Sequence, residues 1–243
     1  MSTLLADHGY FFGIGAFETI AVENGKPMFL TEHYNRLKKA ADFLELPFDE
    51  KQIDEKTMQA LEQQEMKTGR RVLKITLSEK NLLVTTRENT YRRAQYEKGF
   101  DTDFTDVRRN ETSPFTYHKT LNYGDCLFEK HKAKEKGIDE PVFLNMAGNI
   151  AEGATTNVFF VKNGGIYTPS VECGLLNGII RDYLCREYSV EERKISPEEI
   201  AEFDEMFLTN SLLGIMPVNR LGSRCFPSKE TGCRLLHELP YSL

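Results

Sequence analysis

Ser113-Pro114-Phe115-Thr116-Tyr117-His118-Lys119-Thr120-Leu121-Asn122-Tyr123 carries a lysine between an imidazole, an amide and a phenol. A lysine is rarely buried without a partner, so an isolated one is ordinarily a solvated charge. Lys119 has Phe115, Tyr117, Leu121 and Tyr123 around it. Apolar neighbours and hydrogen-bonding groups lower an amine's pKa toward the neutral, nucleophilic form. Downstream, residues 122–136 read as a helix stopped by Gly137. The N–H groups and dipole at such a helix start disfavour an ammonium just ahead of it. Lys119 is therefore a candidate covalent anchor for a carbonyl cofactor.

Upstream of this stretch, residues 91–112 are polar and charged and read as a connection between two halves. Before them, residues 71–78 and 82–87 are rich in β-branched residues and read as strands. Arg87, closing the second, is either an edge charge or a group that reaches a substrate carboxylate. Residues 31–46 read as a helix with Thr31 as its cap, stopped by Pro47, and His33 and Arg36 share a face of it. Arg36 is then a solvated side chain or an inward fork gripping an anion. Asp49 with Gln52 opens a second helix that Gly69 stops. The chain begins with a glycine-bearing stretch, residues 7–22, leading through Glu23-Asn24-Gly25-Lys26 into a hairpin; it fits neither phosphate-loop pattern.

Beyond Lys119 lies a strand run over residues 141–145, 149–152, 157–162 and 166–167. Glu152 sits inside it among small residues, as a carboxylate would if something flat packed against it. Residues 174–181 lead into a helix over 183–188, and the N–H groups from Gly178 to Ile180 form an anion candidate. A short helix over 197–202 and a strand over 205–208 precede Thr209-Asn210-Ser211, a further phosphate candidate, and the chain closes with a helix over 231–239. The pattern is α+β: a small half, residues 1–106, and a larger strand-rich half, residues 107–243.

The 243 residues carry a formal net charge of -6, and the basic doublets Arg70-Arg71, Arg92-Arg93 and Arg108-Arg109 are scattered, which argues against a nucleic-acid surface. Residues 1–7 lack the features of a signal peptide and no later run could span a bilayer, so the expected location is the cytoplasm. Five cysteines without C-x-x-C spacing and histidines without H-x-x-x-H spacing suggest neither a disulfide framework nor a metal site.

Five pieces in order resemble the fold-type IV family of pyridoxal-phosphate enzymes, which includes branched-chain aminotransferases, D-amino-acid aminotransferases and aminodeoxychorismate lyases. They are D-x-G-x-x-x-G-x-G-x-F-E-T at residues 7–19, H-x-x-R-L at 33–37, K-T-L-N-Y at 119–123, A-E-G-A-T-T-N-V-F at 151–159 and G-I-I-R at 178–181. The resemblance implies the two-domain fold of that family and pyridoxal 5'-phosphate as cofactor. It implies that Lys119 forms the Schiff base, that Glu152 faces the pyridine nitrogen, and that Arg36 binds the phosphate with backbone N–H groups of Ile179 and Ile180 and the side chain of Thr209 or Ser211. Tyr123 matches a position near the cofactor, Asn157 one that supports the site, and His33 a residue behind it.

Residues 209–218, 87–91 and 174–179 are similar to the corresponding segments of the lyases. They imply a 4-amino-4-deoxychorismate lyase with Arg87 on a substrate carboxylate and Thr19 as a catalytic helper. An aminotransferase acting on branched-chain or D-amino acids, and an idle protein that keeps the fold, are the alternatives. Two departures stand out. The strands that usually precede the first motif are missing, and Ser78-Glu79-Lys80-Asn81 stands where some lyases carry an arginine-glycine loop. The family's sites lie near a subunit interface, which implies a homodimer acting on a small molecule.

Overall fold

The structure, a computed structural model, describes residues 4–241; Met1, Ser2 and Thr3 of the stretch read for a signal peptide lie outside the described residues. The chain falls into two compact units. One holds the residues up to Thr90 together with His118–Tyr123, and the other Tyr91–Tyr117 with Gly124–Tyr241.

In the first unit, α1 (His8–Phe12) precedes β1 (Gly15–Glu23) and β2 (Lys26–Pro27), then come α2 (Leu30–Phe43), α3 (Glu50–Leu61), β3 (Arg70–Ser78) and β4 (Leu82–Glu88). The strands form an antiparallel sheet in the order β2-β1-β3-β4. Alternation along β1 and β3 sends Ile20, Val22, Leu73 and Ile75 to one face, where they pack with Leu37 and Ala41 of α2 and Ile53 of α3. Asp49 caps α3 as its sequence suggests, accepting from the Gln52 N–H. The Thr31 cap does not form. Phe29, in the left-handed region at φ 53, starts α2 one residue early without a side-chain cap.

The second unit contains α4 (Arg93–Lys98), β5 (Phe100–Arg109), α5 (Gly124–Glu135), β6 (Glu140–Asn145), β7 (Ile150–Gly153), β8 (Asn157–Lys162), β9 (Gly165–Pro169), α6 (Ile179–Glu187), β10 (Val190–Arg193), β11 (Glu205–Asn210), β12 (Gly214–Leu221), β13 (Arg224–Cys225) and α7 (Glu230–Glu238). Its nine-stranded mixed sheet runs β10-β9-β8-β11-β12-β5-β6-β7, with β13 on β12. The polar connection expected over 91–112 is replaced by α4 and β5, and β5 lies between β12 and β6, parallel to both. Its inward side chains include Phe100, Thr102 and Thr105, with threonines doing what aliphatic residues usually do in a buried strand. Because β5 pairs along its length inside this unit, the division falls at Thr90 and Tyr91, ahead of the 106/107 boundary expected from sequence. Among the described residues no helix is long and apolar enough to cross a membrane.

Candidate active site

Lys119 is seated by backbone pairing with β1. The Phe17 N–H donates to the Lys119 carbonyl at 3.1 Å, the Leu121 N–H to the Gly15 carbonyl at 2.8 Å, and Thr120 bridges Ala16. The pairing depends on a glycine: a Cβ at Gly15 would lie 2.6 Å from Leu121 Cδ1 and 2.8 Å from the Leu77 carbonyl. The glycine-bearing opening motif thus serves the lysine segment, a role with no local signature in residues 7–22. The His118 ring stacks on Phe43 at 4.1 Å and 8°, fixing the segment from the other side.

The Lys119 Nζ stands 4.4 Å from the Phe17 ring centroid and 5.1 Å from that of Tyr123, and the two rings meet edge to face at 5.4 Å. The apolar surroundings read from the sequence are therefore supplied partly by Phe17, which that reading did not single out. The register Phe17↔Thr76, Thr19↔Lys74 and Ala21↔Val72↔Arg87 puts Phe17, Thr19, Lys74 and Arg87 on one face of the sheet. Lys74 Nζ also lies over Phe17, at 4.8 Å. Arg87 is exposed and donates through Nη1 to the Glu88 carbonyl.

Arg36 turns inward, and the anion it grips in this structure is Glu18. Its Nε donates to Oε1 at 2.7 Å and its Nη2 to Oε2 at 2.8 Å, while His33 Nδ1 lies 2.6 Å from Oε2. Burial alone would raise the Glu18 carboxyl, but the Arg36 guanidinium and the hydrogen bonds from Arg36 and His33 outweigh it and hold the group well below the usual carboxylate range. Burial pushes His33 below the ordinary imidazole value; Arg36 and Lys119 add to this, against the pull of Glu18.

In the second unit, Glu152 of β7 is buried, with Arg109 Nη2 2.8 Å from Oε1 and the Leu176 N–H donating to Oε2 at 3.1 Å. Asn157 Nδ2 donates to the Leu176 carbonyl at 2.8 Å, so the backbone of Leu176 is held through both its N–H and its carbonyl. Gly178, directly before α6, comes so close that a Cβ there would overlap Asn157 Oδ1. No side chain caps α6, whose first residues are Ile179 and Ile180. Thr209 pairs with Asn157 across β11 and β8, and its Oγ1 is buried without a hydrogen-bond partner. Ser211 is half-buried, and its carbonyl accepts from the Tyr241 hydroxyl at 2.7 Å. Glu152, Asn157, the start of α6 and Thr209 are thus brought together. Arg109, the residue paired with Glu152, had no signal in sequence because it lies in the stretch read as a connection.

The class IV amino-transferase family model matches residues 15–221. A probable branched-chain-amino-acid aminotransferase of Thermotoga maritima is 32% identical over 228 residues, 89% of this chain and 80% of that protein. An aminodeoxychorismate lyase of Bacillus subtilis is 26% identical over 234 residues, 88% of this chain and 80% of that protein. Among solved structures, a provisional 4-amino-4-deoxychorismate lyase of Legionella pneumophila matches with a TM-score of 0.86 and 26% identity, covering 98% of this chain and 96% of that one. The chain belongs to the class IV aminotransferase family and has its α+β, fold-type IV architecture. Its cofactor is pyridoxal phosphate, which members of this family use.

The residues present fit that cofactor. An orphaned buried hydroxyl at Thr209 and an uncapped helix start behind a glycine are what a phosphate group satisfies. In the first unit a lysine amine over aromatic rings, and in the second a buried carboxylate, are each of the chemical kind that its aldehyde and its ring nitrogen require.

Proposed function

We propose that the chain is a 4-amino-4-deoxychorismate lyase, releasing pyruvate and forming 4-aminobenzoate, a step of folate biosynthesis. The observation that carries the reading is the likeness, over nearly the full length of both chains, to the provisional lyase from Legionella pneumophila. The lyase-like segments at residues 87–91, 174–179 and 209–218 support it.

When bound, pyridoxal phosphate supplies an electron sink for the carbanion formed beside the substrate nitrogen. Lys119 would be the anchor and, once freed, the base: its Nζ would take the ring proton next to the substrate nitrogen, the ring would become aromatic as the carbon–oxygen bond breaks, and the departing enolpyruvyl group would take up a proton to leave as pyruvate. Glu152 holds the positive charge on the cofactor's ring nitrogen. Arg36, the N–H groups of Ile179 and Ile180, and the side chain of Thr209 or Ser211 hold the phosphate; Tyr123 flanks the cofactor and Asn157 braces the Leu176 peptide. Arg87 takes a substrate carboxylate and Thr19 assists on the same sheet face. The enzyme is read as a cytoplasmic homodimer, on the family's pattern.

The Thermotoga maritima relative favours a second reading, an aminotransferase on the same residues. Incubation with freshly made aminodeoxychorismate and no amino acceptor separates the two. The lyase gives 4-aminobenzoate and pyruvate catalytically and in equal amounts; an aminotransferase gives neither, and shows ping-pong kinetics with an amino donor and a keto acid.

A further inference from the structure

Glu18 lies in the opening motif, yet the proposed reaction gives it no part. Its side chain is 0% exposed on the helix-covered side of β1, an expensive place for a carboxylate unless it is paired. Arg36 covers it with two bonds along one edge, the strongest geometry such a pair can adopt.

His33 completes the group. A carboxylate only accepts, so the 2.6 Å contact puts the imidazole hydrogen on Nδ1, and Nε2 is left buried with no partner. A histidine committed in this way orients Glu18 and does not neutralise it. The compensating charge comes from Arg36, whose side chain is 14% exposed and needs an anion beside it as much as Glu18 needs a cation.

We propose that Glu18, oriented by His33, is the resident counter-ion of Arg36 and shares that guanidinium with the phosphate of the cofactor. The inference rests on the reading of Arg36 as a phosphate-holding residue. Arg36 then stays charge-paired whether or not a phosphate is beside it, and Glu18 tempers the affinity for the phosphate by repelling it. Removing the Glu18 charge has two effects of the same sign. The cofactor-free protein loses the partner of a buried cation, and the phosphate meets an undivided one.

The test compares pyridoxal phosphate with pyridoxal, which has the same ring and aldehyde and no phosphate. Dissociation constants for both are measured on the full chain, stripped and reloaded, for wild type, Glu18→Gln, Arg36→Met and the double variant. Glu18→Gln raises the preference for pyridoxal phosphate over pyridoxal by about five- to fiftyfold, the range of coupling between charges in one network. Arg36→Met lowers the preference, and the double variant matches Arg36→Met alone. An unchanged or lowered preference in Glu18→Gln, with the loss in Arg36→Met intact, overturns the role of Glu18. An unchanged preference in Arg36→Met removes the phosphate assignment itself.

Folding of Glu18→Gln with pyridoxal phosphate but not with pyridoxal gives the expected answer in another form. If it folds with neither, Glu18→Asp decides: the charge is kept, so the preference stays within about twofold of wild type, and a larger rise overturns the counter-ion role.

Discussion

Glu152, the proposed partner of the cofactor ring, shows how little of a buried carboxylate's surroundings a sequence reveals. Its small neighbours and its motif make the carboxylate legible, whereas the Arg109 guanidinium on Oε1 and the Leu176 N–H on Oε2 come from segments far away in the chain. Both contacts are products of the fold, and neither leaves a local pattern. Lys119 is similar: the lysine is readable, but the Phe17 ring beneath its amine lies about a hundred residues earlier and is placed there by strand pairing. In Glu152→Gln the shape is kept and the charge is lost. The variant is expected to retain bound cofactor while proton abstraction slows by about a hundredfold in single-turnover measurements, the scale of losing one preorganised electrostatic contact. Turnover at the wild-type rate removes Glu152 from the chemistry.

Among the elements, β3, β4, β6 to β9 and α7 were readable from alternation and turn residues, within one or two positions at most ends. β5 was not, since Asp, Thr and Arg alternate along it and its burial is imposed by β6 and β12, its parallel neighbours. α1 was missed because it has five residues and leaves Tyr10, Phe11 and Phe12 exposed, so it has no apolar stripe to detect. The seating of residues 119–121 on β1 gives a prediction at this scale. Gly15→Val forces a side chain against Leu121 and the Leu77 carbonyl, and is expected to cost about 1–3 kcal/mol in denaturant unfolding. It should also weaken cofactor retention; a variant with wild-type stability and cofactor content contradicts the seating.

Asp7 ties α1 to the β3–β4 turn, accepting from Ser78 Oγ at 2.6 Å, the Lys80 N–H at 2.9 Å and Asn81 Nδ2 at 2.9 Å. The Ser78 hydroxyl is the largest influence on its carboxyl; with the other donors it outweighs burial and holds the group well below the usual range. A carboxyl depressed in the folded state contributes stability that is complete above its unfolded value, about 3.9, and is lost as pH falls toward the folded value. Melting temperatures from pH 7 down to pH 3 should therefore fall less steeply in Asp7→Asn than in wild type. Parallel curves would show that Asp7 titrates alike in both states.

On the scale of the whole molecule, the order of the motifs along the chain implies the family that the class IV model bears out, and the division into units does not follow from it. Residues 118–123 belong with the first unit although the chain on either side of them belongs with the second. A division read along a sequence cannot show such a return. The class IV relatives include proteins described as aminotransferases and as lyases, and the proposed cofactor residues are the same under either reading of this chain. What both readings require is that one lysine be the anchor. Borohydride reduction of the cofactor-loaded protein, followed by digestion and mass spectrometry, locates that lysine. The expected result is a single reduced pyridoxyl-phosphate adduct on the peptide containing Lys119, absent in Lys119→Ala, which folds but does not turn over. An adduct on Lys74, the other amine over the Phe17 ring, or no adduct on a coloured protein, would contradict the account.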